Sequence, residues 1–256
     1  MGATIFVLVL IFLLLLFFIC GQKGFRSLFS LGLSVAILMV AVIPLIARDY
    51  DPVFVTFLAA IPITILVVYF TEGFSALSHL AIVGIIINFA AVSCLAYFAV
   101  VWGRFNGLTS EAASLVGGEI GLNLPALLTA GIMLGTLGAI IEMVVTQVAT
   151  VMQFISANAA SDRQAVYHQA YQVGVTHLGS IINTLFLIYA GILLPLLIMF
   201  AGSSNPFYAA LHYEPLSSEI VRTLIGVIGL IAAMPTATAL AAWWLKRPAA
   251  SPASLK

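Results

Sequence analysis

The sequence predicts an all-α fold, a polytopic transmembrane helical bundle of about seven spans, and three observations point to it. Of 256 residues, 63% are hydrophobic and only 7% are charged, whereas a soluble domain carries about 25% charged residues. A water-soluble globule is therefore excluded. The mean hydropathy of +1.20, with 17 Phe and 20 Gly, excludes disorder, which needs low hydrophobicity and high net charge. Nine Lys and Arg balance nine Asp and Glu, so there is no basic field for nucleic acid. The partner implied is a lipid bilayer.

A hydrocarbon core about 30 Å thick takes roughly 20 apolar residues at 1.5 Å per residue. Windows of that length fall near residues 3–20, 27–47, 53–70, 79–102, 124–146, 178–201 and 219–245. The runs are continuous and do not alternate, which excludes a strand barrel. Short connections without a Pro-rich linker give one integral membrane domain over residues 1–256. The first run lacks a positive leader and an A-x-A cleavage pattern, and Ile19 precedes Cys20 where lipoprotein processing needs a small residue, so it reads as a span. Cys20 and Cys94 lie in apolar runs without metal or disulfide spacing and read as small buried hydrophobes.

Spans one to three show no stripe of polar residues and read as a lipid-facing or dimer-forming flank. The fourth carries a weak stripe, Ala81, Gly84, Asn88 and Ala91. The stretch Pro125 to Ile155 would reach roughly 46 Å as a helix, so its end projects into the cytoplasm. Residues 156–173, SANAASDRQAVYHQAYQV, read as a cytoplasmic amphipathic connector. At 100° per residue, Gly131, Gly135, Gly138, Glu142, Thr146, Thr150 and Gln153 fall on one stripe of the fifth span, roughly 120° wide. His177, Ser180, Asn183, Thr184 and Gly191 share a face of the sixth, and Arg222, Gly226, Gly229, Ala233 and Thr236 a face of the seventh. Pro195 and Pro235 are expected to bend their helices.

Glycine allows close helix approach, and polar side chains in hydrocarbon need partners. The stripes are therefore expected to converge into one polar seam, with Gly131, Gly135, Gly138, Gly226 and Gly229 as the packing residues. If spans alternate, Lys23, Arg26, Arg163, Lys246, Arg247 and Lys256 fall on one side, and Arg48, Arg104 and Arg222 on the other. The positive-inside rule then places the N-terminus outside and the C-terminus inside. Trp102, Trp243 and Trp244, close to span ends, read as interface anchors.

Within the seam Glu142 is the leading candidate, because a carboxylate in a span costs about 2.5 to 3.5 kcal/mol on insertion scales and such residues commonly handle protons or cations. His177, Ser180 and Asn183 are its expected neighbours. Arg222 lies toward the opposite end and should not pair with Glu142; Glu119 or Glu219 are its candidate partners. Candidates for solute or proton binding are Glu142, Thr146, Gln147, His177, Asn183, Thr184 and Arg222. The sequence holds no H-E-x-x-H, G-x-S-x-G, P-loop or G-x-G-x-x-G motif, and its four histidines lack metal-ligand spacing, so neither an enzyme nor a metal or cofactor is expected.

Three runs, GTLGAIIEMVVTQVAT, GVTHLGSIINTLFLIYAGILLPLL and SEIVRTLIGVIGLIAAMPTATALAA, resemble the signature blocks of the YibE/F-like family of bacterial membrane proteins, and TEGFSALSHLAIVG resembles a shorter upstream block. The resemblance covers roughly residues 40–245 and is closer to the short, YibF-like form. It implies a multi-pass protein of the bacterial cytoplasmic membrane, without an established substrate, and either a homo-oligomer or a hetero-complex with a long-form relative. It places Glu142 at an acidic position, Gln147 at a Gln position, Asn183 and Thr184 in the N-T-L block, and Arg222 in the R-T-x-x-G block. Thr176 stands where Asp is expected, so coupling would rest on Glu142. The expectation is a transporter or permease subunit for an unknown small solute, proton- or cation-coupled through Glu142; the alternative is a non-transporting scaffold or regulatory subunit.

Overall fold

The computed structural model describes residues 2–107, 123–157, 162–202, 208 and 211–244, and among them every regular element is helical. Helix α1 (Gly2–Ile37) contains a single non-helical residue, Gly21 at φ 53°, in the left-handed region that favours glycine. A Cβ on Gly24 would lie 2.6 Å from the Leu16 carbonyl oxygen, yet in a straight helix these residues stand about 12 Å apart along the axis. The chain therefore doubles back at Gly21, and the spans Thr4–Gln22 and Gly24–Ile46 are joined by one residue.

The second span continues through a π-helical turn, Leu38–Val42, into α2 (Ile43–Ile46). Pro44 explains the turn: it lacks an N–H and its ring crowds the carbonyl four residues earlier, so the ladder widens. Helix α3 (Pro52–Glu72) starts where Asp51 accepts the Phe54 N–H at 2.9 Å with Pro52 in the first turn. Ser75 caps α4 (Ala76–Gly103) by accepting the Ser78 N–H at 3.2 Å, and Arg104 ends it in the left-handed conformation. Helices α5 (Leu124–Ala157), α6 (Arg163–Ala201) and α7 (Glu214–Trp244) follow.

Among the described residues, seven helical segments are long and apolar enough to cross a membrane. Helices α4, α5 and α7 form the centre, and α3 packs against α4 and α5. The register follows from the glycines: Gly84 faces Val144 and Leu240, Gly229 faces Val92, and Gly226 faces Thr136. Thus α4 runs antiparallel to α5 and α7, while α5 and α7 run parallel, as alternating spans require. The first span contributes nothing to the interior, with 0% of its residues buried, against 56% in α4 and α7.

Two expectations are corrected. The connector 156–173 is not a separate surface helix among the described residues: Ser156 and Ala157 end α5, and Arg163 to Val173 are the first turns of a continuous 39-residue α6. Val166, Ala170, Gly174, Leu178 and Ile181 are buried at helical spacing through this segment, and their packing keeps it in register with the span. At about 51 and 58 Å, α5 and α6 overreach the hydrocarbon core together. Cys20 and Cys94 are both exposed on the bundle surface, not buried. Lys246, Arg247 and Lys256, and the side chain of Lys23, lie outside the described residues.

Candidate functional site

The stripes of α4 and α7 converge. Asn88 Nδ2 donates to the Thr236 hydroxyl at 2.7 Å and to the Gly84 carbonyl at 2.8 Å. A Cβ on Gly229 would stand 2.6 Å from Val92 Cγ2, so only glycine admits this approach. One turn of α5 beyond Val144, Gln147 Nε2 donates to the Ala170 carbonyl and the Thr238 hydroxyl, both at 2.8 Å. Gly174 makes room for it, since a Cβ there would lie 2.7 Å from Gln147 Oε1. Gln147 is 1% exposed and ties α5, α6 and α7 together. Its amide protons are committed to structure, which makes it a joint rather than a docking group.

The stripe of α5 does not enter the seam. Gly135, Gly138 and Glu142 are exposed, and nothing lies within 4 Å of a Cβ on Gly138. Glu142 makes no hydrogen bond or ion pair among the described residues. Thr146 is half-buried, its carbonyl accepting the Thr150 hydroxyl at 2.8 Å. The interior face of α5 is instead the bulky one, with Ile132, Met133, Ile140, Met143, Val144, Val148 and Val151 all fully buried. Dispersion scales with the atoms available to pack, and glycine brings none. Depth supplies the second reason: Glu142 lies 18 residues after Leu124, about 27 Å along the helix and near the far margin of a 30 Å core.

In α6, Ser180, Asn183, Thr184 and Gly191 are exposed as well, on the side away from the buried Leu178, Ile181 and Leu193. Thr184 turns its hydroxyl to the Ser180 carbonyl at 2.9 Å. His177 is half-buried, and its Nε2 is buried without a partner. Glu142 is therefore not joined by hydrogen bonds to His177, Ser180 or Asn183.

Arg222 is the charge that does enter the protein. Its guanidinium lies over Gly131, with Nη2 3.6 Å from where a Cβ would stand, and Nη2 meets Glu219 Oε1 at 3.4 Å. Glu119 lies outside the described residues. As expected, Arg222 and Glu142 do not pair: Gly131 and Glu142 are 11 residues apart, about 16 Å along α5. Beside this pair stands Tyr189, whose hydroxyl is 3.8 Å from a Cβ on Gly135. Sequence reasoning passed over Tyr189, although it is the one hydroxyl-bearing aromatic in the run TLFLIYAGILL. It also passed over Gly174, whose signal was its i+4 spacing from Ala170 and to Leu178.

A family model of YibE/F-like proteins matches residues 8–247, nearly the whole chain. The chain belongs to the YibE/F-like family. No curated protein and no solved structure matches it. In this YibE/F-like protein the sequence blocks split between two environments: Gln147, Gly226 and Gly229 are sealed in the bundle, while Glu142, Asn183 and Thr184 face outward. Thr176 is exposed and turns its hydroxyl back to the Gln172 carbonyl at 3.3 Å.

Proposed function

We propose that this YibE/F-like protein is a transporter or permease subunit of the bacterial inner membrane, moving a small solute with Glu142 as the proton- or cation-carrying group. The observation that carries this reading is an unpaired carboxylate on an open flank of small residues, Gly135 to Thr146, with an arginine turned inward at the other end. Every other strongly polar side chain of α4, α5 and α7 is either tied up, as Asn88 and Gln147 are, or close to a helix end. Ionisable residues inside spans are rare and mark ion or proton pathways, and this one stays free of partners in the bundle. The residues of this reading are Glu142 and Thr146 on α5, His177 on α6 and Arg222 on α7. Catalysis plays no part in it.

A second reading has its own support. Ser180, Asn183 and Thr184 point away from the bundle within a membrane-spanning helix, and polar groups in hydrocarbon are satisfied by helix partners. A scaffold or regulatory subunit, joined through α6 to a second copy or to a long-form relative, uses the same faces for assembly. Proton flux into proteoliposomes separates the two. Wild type should carry proton flux and Glu142→Gln should lose it, and equal flux in both removes the coupling role. Orientation is tested alongside: with the N-terminus outside, a Cys at His212 reacts with an impermeant thiol reagent added outside intact cells, and a Cys at Arg26 does not.

A further inference from the structure

Arg222, on α7, lies against α5 with more donors than acceptors. A guanidinium carries five N–H donors in a planar fork, yet among the described residues its one ionic partner is Glu219, through a single 3.4 Å contact on its own helix. Its Nε is buried and has no acceptor. A long arginine side chain near a span end ordinarily snorkels to water; this one lies against Gly131 of α5, where the missing side chain leaves it room. The Tyr189 hydroxyl, opposite Gly135, likewise has no hydrogen-bond partner among the described residues.

The tyrosine ring borders a cavity of about 210 Å³ between α6 and α7, lined by Tyr189, Leu193, Leu197, Leu216, Ile220 and Thr223 among others. The Tyr189 ring is the link between guanidinium and recess: it borders the recess, which Arg222 does not line, while its hydroxyl lies toward Gly135, one turn of α5 from the Gly131 over which the guanidinium sits. Carboxylates and phosphates satisfy arginine through paired N–H bonds. The recess is smaller than the roughly 300 to 1,000 Å³ typical of ligand pockets, so it suits a short apolar body better than a pair of lipid chains.

We propose that Arg222 and Tyr189 bind the head of an amphiphilic oxyanion, a carboxylate or phosphate on a short aliphatic body, with that body in the recess between α6 and α7. This rests on the transport reading in that it names the class of solute, but it is measured without transport. The source of the oxyanion is either a free solute or a membrane-lipid headgroup.

The probe is labelled octanoate, bound at equilibrium to the full-length protein in phosphatidylcholine nanodiscs, with 1-octanol as the uncharged competitor. Saturable octanoate binding that octanol does not displace is expected. Arg222→Gln should weaken it at least about tenfold, as loss of a charged hydrogen-bonding partner does, and Leu193→Trp should abolish it by filling the recess. Tyr189→Phe, which keeps the ring, should weaken binding about threefold to tenfold with an unchanged melting midpoint, and it decides the matter if Arg222→Gln does not fold. Competition by phosphatidylglycerol added to the nanodiscs assigns the site to a lipid headgroup; binding unchanged by that lipid assigns it to a free solute. Octanoate binding that is non-saturable, matched by octanol, or retained in folded Arg222→Gln or Tyr189→Phe overturns the proposal. Failure here leaves the Glu142 flux result standing, and the converse also holds, because one is an equilibrium and the other a flux.

Discussion

Helices α4 and α7 press their small and polar residues together, while α5 and α6 leave theirs on the outside, although all four carry stripes of the same composition. In α4 and α7, 56% of the span is buried and in α5 50%, against only 6% in α6, so in α5 it is the bulky face, not the stripe, that is buried. The closed pair has complementary shapes at matched levels: Gly84 against Leu240, Gly229 against Val92, Asn88 against Thr236. The open pair has glycine opposite nothing at Gly138 and an unpaired carboxylate at Glu142. A small-residue stripe is thus an opportunity for close approach, and it closes only where the facing helix offers a protruding side chain at the same height.

The largest difference between the two regions should appear on filling their glycines. Gly229→Leu drives a side chain into Val92, and overpacking of this kind costs about 1 to 3 kcal/mol or more. Gly138→Leu, with open space around it, should cost less than about 0.5 kcal/mol. Denaturation of both variants in mixed micelles with increasing SDS reads the contrast, and equal destabilisation would mean that the α5 flank is covered as tightly as the α4–α7 contact.

A smaller effect separates the buried amides from the exposed one. Gln147→Leu removes two interhelical hydrogen bonds, and Asn88→Ala removes both contacts of the amide with the Thr236 hydroxyl; each should lower stability by about 1 to 2 kcal/mol in the same titration. Asn183→Ala should leave the stability of the isolated chain within about 0.5 kcal/mol. If α6 serves a partner helix, Asn183→Ala should nonetheless weaken association, seen as reduced energy transfer between labelled copies in liposomes.

The smallest stability effect is expected at Glu142. Without a partner in the bundle, Glu142→Gln should shift the unfolding midpoint by less than the equivalent of about 0.5 kcal/mol while removing coupled flux. A large destabilisation instead would show that Glu142 is held by contacts within the folded chain.

The candidate site was partly legible in the sequence. Glu142 and Arg222 stand out because charge is rare in spans, and their separation followed from counting along alternating helices. The role of Gln147 was not legible, because its neighbours Gly174 and Thr238 come from two other helices, 27 and 91 residues away. Nor was the length of α6: the polar composition of residues 163–173 masked a buried stripe, Val166, Ala170 and Gly174, that keeps this segment in one 39-residue helix.

Composition and run length alone determined the all-helical, seven-span character of this YibE/F-like protein, because hydropathy and the 30 Å thickness of a bilayer act on each segment separately. Tertiary structure alone decided which polar faces are shut, which remain open, and that Arg222 turns inward beside Tyr189. Those outcomes depend on pairs of surfaces meeting at one height, and the periodicity of a single helix records the direction of a face but not what stands opposite it.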